Sequence, residues 1–309
     1  MRGDNIAMGF LATTLMKPAS FTYHRPRELA EALRLLDDYA DDAKVIAGGQ
    51  SLVPMMNMRL ARPAHLVDIN EIGGLSYIRQ TEDKLQVGAL SRQADLEQSA
   101  LVKAFCPIIA DAIQHVGHLA IRQRGTIGGS IAHADPSAEM PLMAALFNAN
   151  LTIISTGGTR TVPANEFFIT IYTTDLLPGE ILTNIEFPRM SPEDGWSYQE
   201  FSRRSGDFAI VSAATILRLD DTGKVNHIQM ALGGAESIPV NVSASLTGFL
   251  GTIPDEKWAN AIVRTVTAGL ELNDDLHASA EDRLEWLQLL VKRSLQESLQ
   301  RATKREGEG

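Results

Sequence analysis

Two glycine-rich loops constrain this chain more than any other feature: Ala47-Gly48-Gly49-Gln50-Ser51-Leu52, and Arg124-Gly125-Thr126-Ile127-Gly128-Gly129-Ser130. Glycines that follow a strand let consecutive backbone N–H groups turn toward an anion. Gln50 and Ser51 add side-chain donors to the first loop. Thr126 and Ser130 add hydroxyls to the second, and Arg124 gives it a positive edge. Taken alone, each loop reads at least as well as a plain tight turn. Two of them, each next to the end of an expected helix or strand, point to a diphosphate held between them. Neither follows the G-x-G-x-x-G or G-x-x-x-x-G-K-[ST] spacing, so a Rossmann site or a P-loop ATPase is not supported. A dinucleotide fold of another kind is required.

Local patterns place both loops on structure. Pro26-Arg27-Glu28-Leu29 opens an amphipathic helix, with Leu29, Leu33 and Leu36 on one face, running to about Tyr39. Val45-Ile46-Ala47 reads as a strand entering the first loop, and further strands are expected at 65–69 and 85–89. A helix over 107–118 feeds the second loop, an apolar buried helix is expected at 140–146, and a strand at 151–154. Glu139 lies in Asp135-Pro136-Ser137-Ala138-Glu139, where a carboxylate can accept hydrogen bonds from ribose or ribityl hydroxyls; a helix-start charge is the plainer alternative. Asp135 reads chiefly as an Asx-type brace of that turn.

Leu177-Pro178-Gly179-Glu180 is the expected domain boundary, before a strand at 181–187. Strands at 209–219 and 224–232 flank the turn Asp220-Asp221-Thr222-Gly223. An amphipathic helix is expected from Asp282 to about Lys304. The expected division is residues 1–15 as a flexible extension ahead of Met16-Lys17-Pro18, then 16–176, then 177–290, with 291–309 as the end of the terminal helix and a tail.

Composition removes other function classes. The 38 acidic residues against 28 basic ones give a formal charge of -10 with no basic cluster, which argues against a nucleic-acid ligand. Cys106 is the only cysteine, so the chain cannot supply the thiolates of an iron–sulfur cluster, a cysteine-rich zinc site or an internal disulfide. Any cluster must come from a partner. His115, His118 and His133 lack a convincing third ligand, so no metal is expected. No catalytic nucleophile is nominated. Nothing approaches 18 continuous apolar residues, and Ala7 to Met16 lacks a convincing cleavage site, so a cytoplasmic chain without a membrane span is expected.

Several long motifs occur together in order: AGGQSLVPMMNMRLARP (47–63), IRQRGTIGGSIAHADPSAEMP (121–141), GTRTVPANEFF (158–168), LLPGEILTNIEFP (176–188) and FSRRSGDFAIVSAA (201–214). In these, and over residues 16 to about 290, the chain resembles the FAD-binding medium subunit of the molybdenum hydroxylases, exemplified by carbon monoxide dehydrogenase and the flavin domain of xanthine dehydrogenase. The resemblance implies an α+β fold, with a two-lobed FAD-binding domain followed by a smaller α+β domain with an antiparallel sheet. It implies that residues Ala47, Gly48, Gly49, Gln50, Ser51 and Leu52, with Thr126, Ile127, Gly128, Gly129 and Ser130, hold the FAD diphosphate. It places Glu139 near the ribityl chain and gives Val116 and Leu182 as apolar cofactor contacts, for which core packing is the alternative. Gln199 stands where xanthine dehydrogenase has a lysine near the ring. Arg203-Arg204 with Asp207 are read as a brace of the second domain against the flavin region, or as a partly exposed ion pair. Related aryl-CoA reductase flavin subunits carry a cysteine-rich insertion, and the lone Cys106 disfavours that branch.

The same resemblance implies partners: a large molybdopterin-binding subunit that hydroxylates the substrate, and a small subunit with two [2Fe–2S] clusters, in a dimer of heterotrimers. Electrons then pass from the clusters to the FAD of this chain and on to an external acceptor. The alternatives are an independent FAD-dependent oxidase or dehydrogenase, and a scaffold subunit without FAD.

Overall fold

The computed structural model describes residues 17–304, so the expected extension over residues 1–15 and the last residues of the tail lie outside the described part. The N-terminal lobe is built on three short parallel strands, with His65–Asp68 between Thr22–His24 and Ala43–Ile46. The helix Leu29–Tyr39 covers this sheet. Its buried residues Ala32, Leu33 and Leu36 recur at helical spacing, so one stripe meets the sheet and the rest stays wet.

The second lobe is an antiparallel sheet of five strands in the order Ile78–Thr81, Lys84–Gly88, Ile181–Pro188, Asn150–Ser155, Gly158–Pro163. Leu85, Val87, Leu151, Ile153, Ile185 and Phe187 from its strands are buried. They pack with the helices Pro107–Ile113 and Glu139–Phe147. The latter helix is buried on every side, which accounts for its unbroken apolar sequence Met140-Pro141-Leu142-Met143-Ala144-Ala145-Leu146-Phe147. Truncating a fully buried ring such as Phe187 to alanine would cost about 3–5 kcal/mol.

The strand Ile181–Pro188 corrects the expected boundary near 177. It pairs with both central neighbours, Ile185 lying opposite Val87 on one side and Leu151 on the other. A division at 176/177 therefore cuts through one sheet. Pro178-Gly179 does mark a turn, with Gly179 at φ +86°, but the turn joins parts of the same lobe.

The C-terminal unit is an antiparallel sheet in the order Gly195–Phe201, Val211–Leu219, Val225–Gly233, Val240–Asn241. The strand Val211–Leu219 is buried on both faces as far as Leu217. Ala214 and Ile216 face the core shared with the second lobe, while Val211, Ala213 and Leu217 face the helices Glu256–Thr267 and Ala280–Lys304. The terminal helix contributes Leu287, Leu290, Val291 and Leu295 to that second core. Asn241 Nδ2 donates to Ala145 O at 2.7 Å, and Gly234 N to Pro136 O at 2.8 Å, tying this sheet to the helix Glu139–Phe147 and the turn before it. Among the described residues no helix is long and apolar enough to cross a membrane.

Candidate functional site

The strand Ala43–Ile46 delivers the chain into the first glycine loop, where Gly49 takes φ +73° and turns it into the helix Leu52–Asn57. That left-handed backbone is strained for any residue with a Cβ. Gly48 lies against the second loop: a Cβ there would overlap the Arg124 carbonyl oxygen and sit 2.9 Å from Gly125 Cα. The two loops are thus in backbone contact, and both line one cavity of about 570 Å³. Among the described residues the amides of Gly48, Gly49, Gln50 and Ser51 have no protein partner. The Gln50 side chain folds back on the loop, its Nε2 donating to Gly48 O at 3.1 Å through one of its two hydrogens.

The second loop works differently from expectation. Its amides are already engaged: Ile127 N donates to Ser91 O at 3.1 Å, Gly128 N to Ala89 O at 2.9 Å, and Ser130 N to Thr126 O at 3.1 Å. Thr126 caps the helix Ile127–His133, its Oγ1 accepting from Gly129 N at 3.0 Å. Its glycines serve internal packing. Gly128 is pressed onto Ala89, where a Cβ would meet Ala89 O at 2.7 Å, and across from Gly129 the nearest part of the first loop is the Ala47 methyl, 3.9 Å from where its Cβ would be. Ser130 lines the cavity, whereas the Ile127 side chain is fully buried in the core and does not.

Leu52, Val116, Leu182, Asp135 and Glu139 all line the same cavity. Asp135 Oδ1 accepts from Ser137 N at 2.9 Å, the Asx brace expected of it, and its Oδ2 accepts from the Tyr172 hydroxyl at 3.3 Å. Glu139 is 4% exposed, and burial pushes its carboxyl up to about 8, with the Glu200 carboxylate adding to the rise. At neutral pH it is therefore mostly protonated and can donate as well as accept. Glu200 accepts from the Tyr198 hydroxyl at 2.9 Å and pairs with His115 Nδ1 at 3.2 Å, a hydrogen bond that raises the His115 pKa.

Gln199 is not brought to the cavity. It alternates with Tyr198 and Glu200 along Gly195–Phe201 and so faces the terminal helix, donating to Glu297 Oε2 at 2.7 Å and to Ser197 Oγ at 3.1 Å. Arg203 contacts His277, and neither Arg203 nor Arg204 forms an ion pair with Asp207 among the described residues. Instead Gly206, Asp207 and Phe208 form part of the cavity wall, and His118 packs against Gly206. No cluster of metal-ligating side chains occurs among the described residues.

Four further residues at or behind the cavity were not anticipated from sequence. The hairpin Phe168–Thr170 and Thr173–Thr174 carries Tyr172, at φ +54°, to the cavity, where its ring stacks on His133 at 4.9 Å between centroids. Glu180 lines the cavity and is held by Arg160 at 2.6 Å, which keeps its carboxyl below the usual range. Behind the loops, Asn70 Nδ2 donates to Ala47 O at 2.7 Å, and Arg92 donates to Asn70 Oδ1 at 2.7 Å and Arg124 O at 2.5 Å.

These residues fit a dinucleotide: unpartnered amides on one loop, two glycine loops lining one cavity, and apolar walls from Val116, Leu182 and Phe208. Residues 19–190 match the family model for the FAD binding domain in molybdopterin dehydrogenase, and residues 196–298 match the CO dehydrogenase flavoprotein C-terminal domain. The chain is 38% identical over 287 residues to the 6-hydroxypseudooxynicotine dehydrogenase complex subunit alpha of Paenarthrobacter nicotinovorans, covering 93% of this chain and 97% of that one. A solved carbon monoxide dehydrogenase from Hydrogenophaga pseudoflava superposes with a TM-score of 0.90 at 35% identity, over 93% of this chain and 99% of that one. Quinoline 2-oxidoreductase from Pseudomonas putida 86 gives a TM-score of 0.88 at 37% identity, with 93% and 99% covered. With both domain models matched in order and relatives alike over nearly their whole length, this chain belongs to the FAD-binding medium subunits of the molybdenum hydroxylase family.

Proposed function

We propose that this chain holds one FAD in the described cavity and acts as the electron-transferring subunit of a molybdenum hydroxylase. The observation that carries the reading is the contact of two glycine loops along one cavity, with unpartnered amides at Gly48 to Ser51. In this assignment those amides bind the diphosphate, Gly128 and Gly129 line the cavity beside it, and Ser130 adds a hydroxyl. Glu139 holds a proton within reach of the cofactor's sugar-like chain, while Val116, Leu182 and Phe208 exclude water from its apolar part.

When bound, a flavin supplies chemistry that can be filled one electron at a time and emptied as a pair. That suits a chain lying between one-electron clusters and an external acceptor. The small subunit with two [2Fe–2S] clusters delivers the electrons and the large molybdopterin subunit hydroxylates the substrate, in a cytoplasmic dimer of heterotrimers. Similarity to a carbon monoxide dehydrogenase medium chain and to a xanthine dehydrogenase FAD-binding subunit supports a subunit role. No side chain of the cavity is assigned as a nucleophile.

The test is a visible absorption spectrum of the purified chain, with identification of any cofactor released on denaturation. Oxidised-flavin absorption with FAD released at one per chain is the expected result. A folded, colourless chain that fails to take up added FAD would overturn the reading.

A further inference from the structure

The two glycine loops come from different parts of the chain, yet an unbroken line of hydrogen bonds runs behind them from one to the other. Asn70 Nδ2 grips Ala47 O at the start of the first loop, at 2.7 Å. Asn70 Oδ1 accepts from Arg92 Nη2 at 2.7 Å. Arg92 Nη1 in turn grips Arg124 O at the start of the second loop, at 2.5 Å. That same Arg124 carbonyl is the surface against which Gly48 is packed.

Each member of this line is held in place. Asn70 is oriented by Asp68, whose Oδ1 accepts from both Asn70 N at 2.9 Å and Asn70 Nδ2 at 2.6 Å. Arg92 is half-buried, its backbone makes an antiparallel bridge to Thr126, and the next residue fixes Gly125, with Gln93 N donating to Gly125 O at 3.0 Å. Neither Asn70 nor Arg92 lines the cavity. They touch the backs of both loops and leave the faces free.

We infer that Arg92, working through Asn70, is a positioning residue that sets the spacing of the two loops and so preorganises the diphosphate cradle. Only a guanidinium suits the task, because its planar fork donates in two fixed directions at once. An ammonium of the same charge presents no such fork. The inference rests on the FAD assignment and concerns the geometry of that site.

The experiment measures FAD affinity of the full-length apo chain by quenching of flavin fluorescence, in the wild type and in Arg92→Met, Arg92→Lys, Asn70→Ala and the double variant Arg92→Met/Asn70→Ala. Met keeps the apolar stem of the arginine and Lys keeps its charge. The expected result is a loss of at least about tenfold in affinity for Arg92→Met, Arg92→Lys and Asn70→Ala alike. The double variant should be little weaker than the weaker single one, as expected for two links of one line. Unfolding midpoints of the apo variants, followed by circular dichroism, should stay close to wild type.

Wild-type affinity in Arg92→Met would overturn the inference, and so would full rescue by Arg92→Lys, which would make charge alone the cause. Losses that multiply in the double variant would also overturn it. If Arg92→Met does not fold, Asn70→Ala carries the same test on the other link. Failure of the wild type itself to bind FAD would remove the underlying assignment, an outcome distinct from failure of the variants.

Discussion

Gly48 and Arg124 are in direct backbone contact: a Cβ on Gly48 would overlap the Arg124 carbonyl oxygen and lie 2.9 Å from its carbonyl carbon. No side-chain rotation relieves that clash, since both partners are main chain. Gly48→Ala should therefore force the loops apart, lowering FAD affinity by about a hundredfold or more at a cost of about 1–3 kcal/mol in stability. Equilibrium titration with FAD and urea unfolding of the apo chain measure the two effects separately.

Glu139 makes stability depend on pH in the opposite sense to a salt-bridged carboxylate. Its pKa is raised from 4.5 to about 8 by burial, so between those values the folded chain holds a proton that the unfolded chain has released. Stability contributed by this group is present below about pH 4.5, declines as pH rises through the window, and is lost above about pH 8. Glu139→Gln, which stays neutral, should flatten that decline by on the order of 2–4 kcal/mol. Denaturant midpoints of both proteins across the window would show it, and parallel pH profiles would refute it.

Gln199 belongs to the seam between the second sheet and the terminal helix, where its amide shares Glu297 with Ser197. Gln199→Ala should leave FAD affinity within about twofold of wild type and lower stability by about 1 kcal/mol. A large loss of flavin binding would return this residue to the cofactor site.

Cys106 is fully buried, its Sγ directed at Pro188 O at 3.4 Å, and burial pushes the thiol up to about 12. A thiolate is the reactive species, so the native chain should react with a disulfide reagent at least about a hundredfold more slowly than the unfolded chain. Stopped-time thiol counting with and without denaturant provides the comparison.

The readable parts of the site were those written in local sequence. Both glycine loops announced themselves, because a turn with positive φ and a close approach each demand a missing side chain, and Glu139 stood out as a carboxylate at the start of an apolar run. Asn70 and Arg92 carried no such sign. A lone asparagine and a lone arginine have ordinary surface readings, and only the fold brings them 23 and 32 residues away in sequence to their loop carbonyls. The direction of Gln199 depends on which face of its strand turns to the cavity, and that only the fold shows. Strand alternation puts it on the face opposite the buried Tyr198. The boundary near 177 was not avoidable by pattern alone, since a Pro-Gly turn looks the same whether it leaves a sheet or returns to it.

That return has a consequence for how the lobe is completed. Ile181–Pro188 is the middle strand of five, and the strands on either side of it, Lys84–Gly88 and Asn150–Ser155, have no ladder to each other. Until residues 181–188 are in place, the edges of the hairpins at 78–88 and 150–163 that flank this strand have no ladder partner. Leu182 rides on that strand into the cavity wall. The wall that Leu182 gives the proposed FAD cavity is thus completed only once this middle strand has joined its two neighbours.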